Sequence, residues 1–421
     1  MYKKISILVG AIAAALTAPS ALAVQFDGFL TAGVAWHDDK NKNRYIGSLG
    51  DRGVQNDASF ETDTRFGLQI SSDVAENMSV VSQVLGTGVD GNFDAIIEWA
   101  YVDYRPSDWM SIHAGKIKQP VYLVNDYVEV GYAYPWIRPP VEVYYLNNPL
   151  NTVNGIEFLL QFSVGPGVLS LQPYVGSNRD DIPNTGGAGY FEAERIRGID
   201  VKYSGKGFAA HASSFSCDVN IYGNMYDIPT AFGFPVDVNL NGKGKCEVNS
   251  AGFNLDMANV VVYAEWQKRL TNKELSRPFG DQAAWYGTLG YRFGKWLPHV
   301  TVAAITGEAS TISPGAVSCA QSSGGCDITP MGGPGVVPAG TPLMNFPISI
   351  QTSVTYGLRY ELNDSAALKI EHSVVDVEND AVELAGANQQ FNFGLFDSNF
   401  QTMNPPGEKV GVTSIALDVI F

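Results

Sequence analysis

The chain has 421 residues, 45% of them hydrophobic, and sets 27 Lys and Arg against 43 Asp and Glu for a formal net charge of −16. A surface this acidic does not seek nucleic acid or anionic lipid. Mean hydropathy is close to zero (−0.02), and beyond residue 23 no apolar run is long enough for a spanning helix, so the chain is either soluble or crosses a membrane without helices. Hydrocarbon offers no partner to an unpaired backbone amide, and the second reading therefore demands a closed β-barrel.

The chain opens with Lys3 and Lys4, an apolar run from Ile5 to Leu16, and the small-x-small triplet Ala21-Leu22-Ala23. This is the pattern of a secretory signal peptide over residues 1–23, and its run is shorter than the roughly 20 residues a spanning helix needs. Its removal takes Lys plus Arg to 25 and the net charge to −18.

From Phe26 onward, small or polar side chains alternate with apolar ones in segments of about ten residues, the period of strands with one wet and one greasy face. Gly28, Leu30, Ala32, Val34 and Trp36 share one face of the first. In the second, Phe66, Leu68 and Ile70 oppose Arg65, Gly67, Gln69 and Ser71. The pattern predicts sixteen strands, at 26–37, 60–72, 77–86, 94–104, 109–117, 153–163, 168–176, 195–204, 207–216, 249–257, 259–268, 283–293, 298–308, 349–361, 366–377 and 410–421. Two of them are irregular. Ile96–Arg105 carries an acid on each face, Glu98 and Asp103, which leaves it unoriented, and Pro173 calls for a bulge or an early strand end.

Connections alternate in length. Tight turns, such as Arg105-Pro106-Ser107-Asp108, Val164-Gly165-Pro166-Gly167 and Ala258-Asn259, are separated by long segments at 38–59, 118–152, 177–194, 217–248, 269–282, 309–348 and 378–409. The fold class this describes is all-β: a single transmembrane antiparallel β-barrel over 24–421 of about 16 strands, with short periplasmic turns and long external loops. Tyr104, Trp109, Tyr291, Phe293, Trp296 and Phe421 sit at strand ends beside the short turns, where an interfacial girdle belongs, with Trp36, Trp266 and Trp285 near the opposite ends.

The four cysteines pair by position, Cys217 with Cys246 and Cys319 with Cys326, as an even count in an exported chain favours. Metal ligation is the weaker reading, since no histidine or CxxC spacing accompanies them, and no cofactor is implied. The stretch Lys116–Asn154 is crowded with aromatics: Tyr122, Tyr127, Tyr132, Tyr134, Trp136, Tyr144 and Tyr145. That composition argues against disorder and for a loop that packs on something.

The terminal run Val410–Phe421 (VGVTSIALDVIF), the run Thr62–Ser72 (TDTRFGLQISS), and the runs Leu289–Val302 (LGYRFGKWLPHVTV) and Tyr356–Leu362 (YGLRYEL) resemble strands of the Gram-negative trimeric porins. The resemblance spans the whole mature chain at the level of architecture. It implies a sixteen-stranded barrel in the outer membrane, in contact with outer-membrane lipid and lipopolysaccharide. It further implies a homotrimer and a third external loop, here 118–152, folded into the lumen as a constriction. One family pattern, Pro-Glu-Phe-Gly-Gly, is replaced by Pro135-Trp-Ile-Arg-Pro-Pro140.

A porin's function is passage of small hydrophilic solutes and ions, set by pore radius and lining charge. Strand parity points Arg65, Lys202, Arg292, Arg359 and Lys369 inward, while the loop supplies Asp126, Glu129 and Glu142, which would set a transverse field. Arg138 is either a pore charge or a tether. The loop's tyrosines either pack on the wall or form a track for a sugar or an aromatic solute. Acids in the outer connections (Asp38, Asp39, Asp180, Asp181, Glu192, Glu194, Asp218, Asp237, Glu383) predict a negative mouth and weak cation preference. A substrate-specific porin and a plugged barrel serving as an adhesin are the alternatives. An enzyme is not expected, since GxSxG and HExxH are absent and the histidines (37, 113, 211, 299 and 372) are scattered, with His113 and His211 placed to face the lumen.

Overall fold

A computed structural model of the chain describes residues 24–40, 44–45, 53–89, 92–144, 150–182, 188–228, 233–272, 280–307, 317–329, 335–344, 349–377, 395–396, 407 and 409–421. The leader expected at 1–23, Tyr145 and Glu383 lie outside these residues.

Sixteen antiparallel strands close on themselves: β1 (Val24–His37), β2 (Arg65–Ala75), β3 (Met78–Val89), β4 (Asn92–Ser107), β5 (Met110–Lys118), β6 (Thr152–Val164), β7 (Gly167–Asp181), β8 (Gly189–Gly205), β9 (Phe208–Ile228), β10 (Gly242–Met257), β11 (Val260–Thr271), β12 (Gln282–Tyr291), β13 (Trp296–Gly307), β14 (Gln351–Asn363), β15 (Ala366–Val377) and β16 (Lys409–Ile420). Each pairs with the next in sequence, and closure is made by β1 against β16, from Phe29 opposite Ile420 to His37 opposite Val412. Closure leaves no edge in the barrel of described strands for another chain to extend.

The period-two pattern sorts the two surfaces. Phe66, Leu289, Tyr356, Leu368 and Ile370 are exposed on the outside, the band a membrane would cover, while Arg65, Glu265, Glu371, Lys369 and Asp418 are buried inside. Tyr104, Trp109, Tyr291, Phe293, Trp296 and Phe421 are exposed at the short-turn rim, and Trp266 and Trp285 are exposed on the outside of β11 and β12 toward the other end. The turns are as tight as their sequences require. Ala258 and Asn259 both take positive φ (50° and 68°), the arrangement of a two-residue hairpin whose twist matches the strands it joins.

Three features depart from the sequence pattern. β2 begins at Arg65 rather than near residue 60, because the preceding turn dips inward: Thr62 and Asp63 are buried, and a Cβ on Gly33 would stand 2.4 Å from that of Asp63. In β4 a register shift pairs Gln83 with Trp99 and Val84 with Ile97, skipping Glu98. This bulge reverses the parity and puts both Glu98 and Asp103 inside, which resolves the strand that simple alternation left unoriented. Pro173 stays within β7, opposite Ile199 of β8, while pairing with β6 steps from Tyr174 to Leu171.

β8, β9 and β10 also run far beyond their expected ends, so that most of the segment expected as a loop at 217–248 is strand. Cys217 and Cys246 lie directly opposite each other on β9 and β10 and form one disulfide; Cys319 and Cys326 form the other. Above β9 the short strand Val236–Asn239 pairs with the end of β9 and with Val317–Cys319, which pairs in turn with Pro342–Met344. Together with inward residues of the long strands, including Phe215, Val219, Ile221 and Val248, these build an apolar cap core.

Candidate functional site: the loop inside the barrel

Between β5 and β6 the chain turns inward. It forms single 3-10 turns at Asn125–Tyr127 and Gly131–Ala133 and a short helix at Val141–Tyr144, and beyond the Gln119 N–H to Asn151 carbonyl bond at its base (2.9 Å) its backbone hydrogen bonds among the described residues are local. Such a segment needs partners for its peptide groups. The opposite wall provides them.

Lys369 of β15, 1% exposed, donates from Nζ to the carbonyls of Gly131 (2.6 Å), Tyr134 (2.9 Å) and Trp136 (2.6 Å), and its charge is met by Asp418 of β16 at 2.8 Å. Arg359 of β14 donates from Nη1 to the carbonyls of Tyr132 and Tyr134, both at 2.7 Å, and from Nε to Glu361. Arg65 of β2 donates to the carbonyls of Glu129 (2.7 Å) and Ile137 (3.2 Å) and to the Tyr134 hydroxyl (3.0 Å). Three cations thus grip one stretch of backbone, Glu129 to Ile137. Gly131 is required there, since a Cβ would fall 2.1 Å from Asp418 Oδ1.

Carboxylates take the loop's donors. Glu371 accepts from the Ile137 N–H (3.1 Å), and Asp63 accepts from Arg138 Nη1 (2.6 and 2.7 Å) while Ser414 accepts from its Nη2 (2.8 Å). Glu265 of β11 accepts from the Leu123 N–H (2.9 Å), the Tyr144 hydroxyl (2.9 Å) and the Tyr286 hydroxyl (3.2 Å), and it also faces His211, whose other ring nitrogen faces Asp200 at 3.0 Å. Burial, and then the Glu265 carboxylate, push the Tyr144 phenol well above its ordinary value, so it remains a donor.

The aromatics finish the docking. Trp136 donates from Nε1 to Thr288 and Thr301 (3.0 and 3.1 Å) and meets Tyr263 and Tyr286 edge-on, with ring centroids 4.7 and 5.5 Å apart. Tyr122 stacks on Tyr144 at 4.5 Å. Edge-on and offset-stacked rings are the favoured geometries. Tyr122, Tyr134, Trp136 and Tyr144 are all buried, so packing, rather than display to a solute, is what these rings do.

The charged residues named from the sequence are therefore arranged differently from a field across open water. Arg65, Arg359 and Lys369 are inside but covered by the loop. Glu129 lies beside Arg65 (3.6 Å), and Glu142 is buried and accepts from Gln351 (2.8 Å), so neither faces a base across a gap. Arg138 is a tether. Arg292 falls past the end of β12, in a rim turn with Asp256 (2.6 Å) and Glu361 (3.9 Å), and does not reach the loop's level. Lys202 of β8 is half-buried opposite Ser170 and His211, and Asp126 alone among the three loop acids is exposed. Lys369 does not pair with its neighbour Glu371 but with Asp418. At the mouth, Glu192, Glu194 and Asp218 sit on β8 and β9, and two of them pair with Arg179 (3.1 Å) and Arg195 (2.5 Å).

Asp63, Glu265, Asp418, Thr288 and Thr301 were not singled out from the sequence, and Glu371 only as a neighbour that could pair with Lys369. The available signal was parity, because each of the strand residues among them is a polar side chain on the inward face of its strand. His113 does face inward, between Glu157 (3.0 Å) and Asp103 (3.6 Å).

A closed sixteen-stranded barrel with short turns on one rim and a loop folded inside has the architecture of the Gram-negative outer-membrane porins and channels. OmpT of Vibrio cholerae, an outer membrane protein, is similar in fold with TM-score 0.55 at 11% identity, over 96% of this chain and 99% of that one. An anion-selective porin from Comamonas acidovorans (TM-score 0.52, 11% identity, 95% and 100% of the two chains) and the outer membrane channel DcaP of Acinetobacter baumannii (0.52, 9%, 96% and 99%) are similar as well. No protein-family profile and no curated protein matches the sequence.

Proposed function

We propose that the chain, exported by its leader at 1–23, is an outer-membrane porin that passes small hydrophilic solutes and ions passively as a homotrimer, with loop 118–152 setting the bore. The observation that carries this reading is the clamp by Arg65, Arg359 and Lys369. A buried cation gripping loop carbonyls is costly to desolvate, and three of them hold the loop within the lumen instead of letting it extend outward. A pore function gives that placement its purpose, since a fixed loop fixes a radius. The balance of charge supports weak cation preference: the wall bases Arg65, Arg359 and Lys369 are spent on the loop, whereas Asp126 stays exposed. Single-channel recording in planar bilayers tests the reading. Stable conductance in groups of three steps is expected, and the absence of any conductance would sink it.

A second reading is favoured by the apolar cap core, in which Phe234, Val236, Val238, Val317 and Leu343 pack with the inward residues of β9 and β10. A barrel closed at its outer mouth, opened when the cap lifts, would conduct only in brief bursts until the cap is removed.

A further inference from the structure

Beneath the loop, toward the short-turn rim, four adjacent strands carry one row of side chains on the lumen face. Asp27 of β1 stands opposite Gln69 of β2, Gln69 opposite Gln83 of β3, and Gln83 opposite Trp99 of β4. At the usual spacing of strands the row is about 14 Å long. A cavity of about 530 Å³ lies against it, with Asp126 and Val130 of the loop on its other side. None of this row takes part in holding the loop.

The row is incompletely satisfied. Gln83 is 5% exposed, and its Oε1 has no hydrogen-bond partner among the described residues; neither has the Trp99 indole N–H. Among the described residues Asp27, which is exposed, accepts only from Gln25 two residues away, at 3.0 and 3.2 Å. An unpaired buried polar atom is expensive and in a native site calls for a ligand or ordered water. The bulge that skips Glu98 is what turns Trp99 inward, and bulges recur where a strand re-aims a side chain for function.

From this we infer that the row is a binding site for an uncharged or amine-bearing sugar of one or two rings, which deepens the pore reading by naming a solute class. The chemistry fits that class. The amides of Gln69 and Gln83 both donate and accept, the carboxylates of Asp27 and Asp126 accept from hydroxyls, and the indole offers one donor and a flat face for the C–H side of a pyranose ring. A few placed polar groups beside an apolar face, in a cavity of this size, are the usual makings of a small-molecule site. No Lys or Arg lines the cavity, and two carboxylates do, so anionic sugars are refused.

The full-length protein in planar bilayers tests this, with glucose, maltose, glucosamine and gluconate added on the short-turn side. Glucose and maltose should block the ion current saturably, glucosamine at least as strongly, and gluconate far more weakly. Trp99→Ala and Gln83→Leu should each raise the half-blocking concentration about tenfold, the loss of one ring contact or one hydrogen-bonding group. Trp99→Phe, which keeps a ring and guards against a folding failure, should block nearly as the parent does. Block no greater than that of a poly(ethylene glycol) of equal size, or block unaltered in the Ala and Leu variants, overturns the site while the salt conductance leaves the pore reading standing. If the protein conducts no salt at all, the pore reading fails, and calorimetry of glucose with the detergent-held protein decides the site: saturable heat that Trp99→Ala abolishes upholds it, and no heat overturns it.

Discussion

A lysine whose ammonium serves three peptide carbonyls and a carboxylate has no exposed alternative. Replacing Lys369 by Met keeps the stem but leaves Asp418 and the carbonyls of Gly131, Tyr134 and Trp136 without their shared partner. Removing one member of a buried ion pair costs about 3–5 kcal/mol, because the other charge is left uncompensated. The sixteen-stranded ladder is untouched by the change, so the expected result is release of the loop and not loss of the barrel. Single-channel conductance and chymotrypsin cleavage after Trp136, buried while the loop is docked, should both rise, with β-circular dichroism unchanged. Tyr144 offers a pH handle on the same docking. Its phenol is held above its ordinary value in the folded state, so the stabilisation it contributes is complete below the unfolded pKa of about 10 and is lost as pH rises through the higher folded value. The loosening that Tyr144 governs should therefore appear as a rise in conductance only on the strongly alkaline side, and Tyr144→Phe should remove that alkaline rise. At this scale the sequence was half legible. Parity alone placed Arg65, Arg359 and Lys369 inside, yet their partners lie as far as 238 residues away, and nothing local distinguishes a cation facing water from one facing backbone.

Strand positions were the most legible elements, because a period of two is written into each segment and a one-residue slip would turn every side chain to the wrong face. Strand ends were less so. β9 runs on through Cys217 to Ile228, where inward Val219 and Ile221 meet the cap and not water, and a sequence cannot announce the partner that makes an inward apolar residue comfortable. Loop and cap are the two elements that set access, and they make separable predictions. Replacing 122–134 by a short Gly-Ser link removes the stretch that carries most of the gripped carbonyls and should enlarge conductance; unchanged conductance would take the loop out of the path. The disulfide Cys319–Cys326 closes a short loop beside the cap, and closure of a loop of this length constrains the unfolded chain by about 2–3 kcal/mol in the chain-entropy model. Changing both cysteines to serine should loosen the cap first. In a barrel gated at its mouth, open time rises in that variant. In a barrel already open, it does not.

For the whole molecule the question is what an overall charge of −16 does to a pore whose inner charges are largely paired. Arg65, Arg359 and Lys369 are matched by Glu129, Glu361 and Asp418, and Arg138 by Asp63, so the clamp contributes little net potential at its own level. The Lys118–Glu98 pair at the base of the loop is likewise internal. Asp126 and Asp27 stay open to solvent along the bore, with Lys202 half-buried on the far wall. Selectivity then depends on a few charges and on the acidic surround, both reached through water, and so it must be screened. The Debye length falls from about 10 Å at 0.1 M salt to 3 Å at 1 M. Reversal potentials in a salt gradient should therefore favour cations at 0.1 M and approach no preference at 1 M. Asp126→Lys should move the low-salt value toward anions and leave the high-salt value nearly where it was. Anion preference in the parent protein at low salt would show instead that the clamp's cations reach the permeating ion, and that the loop does not cover them in the conducting state.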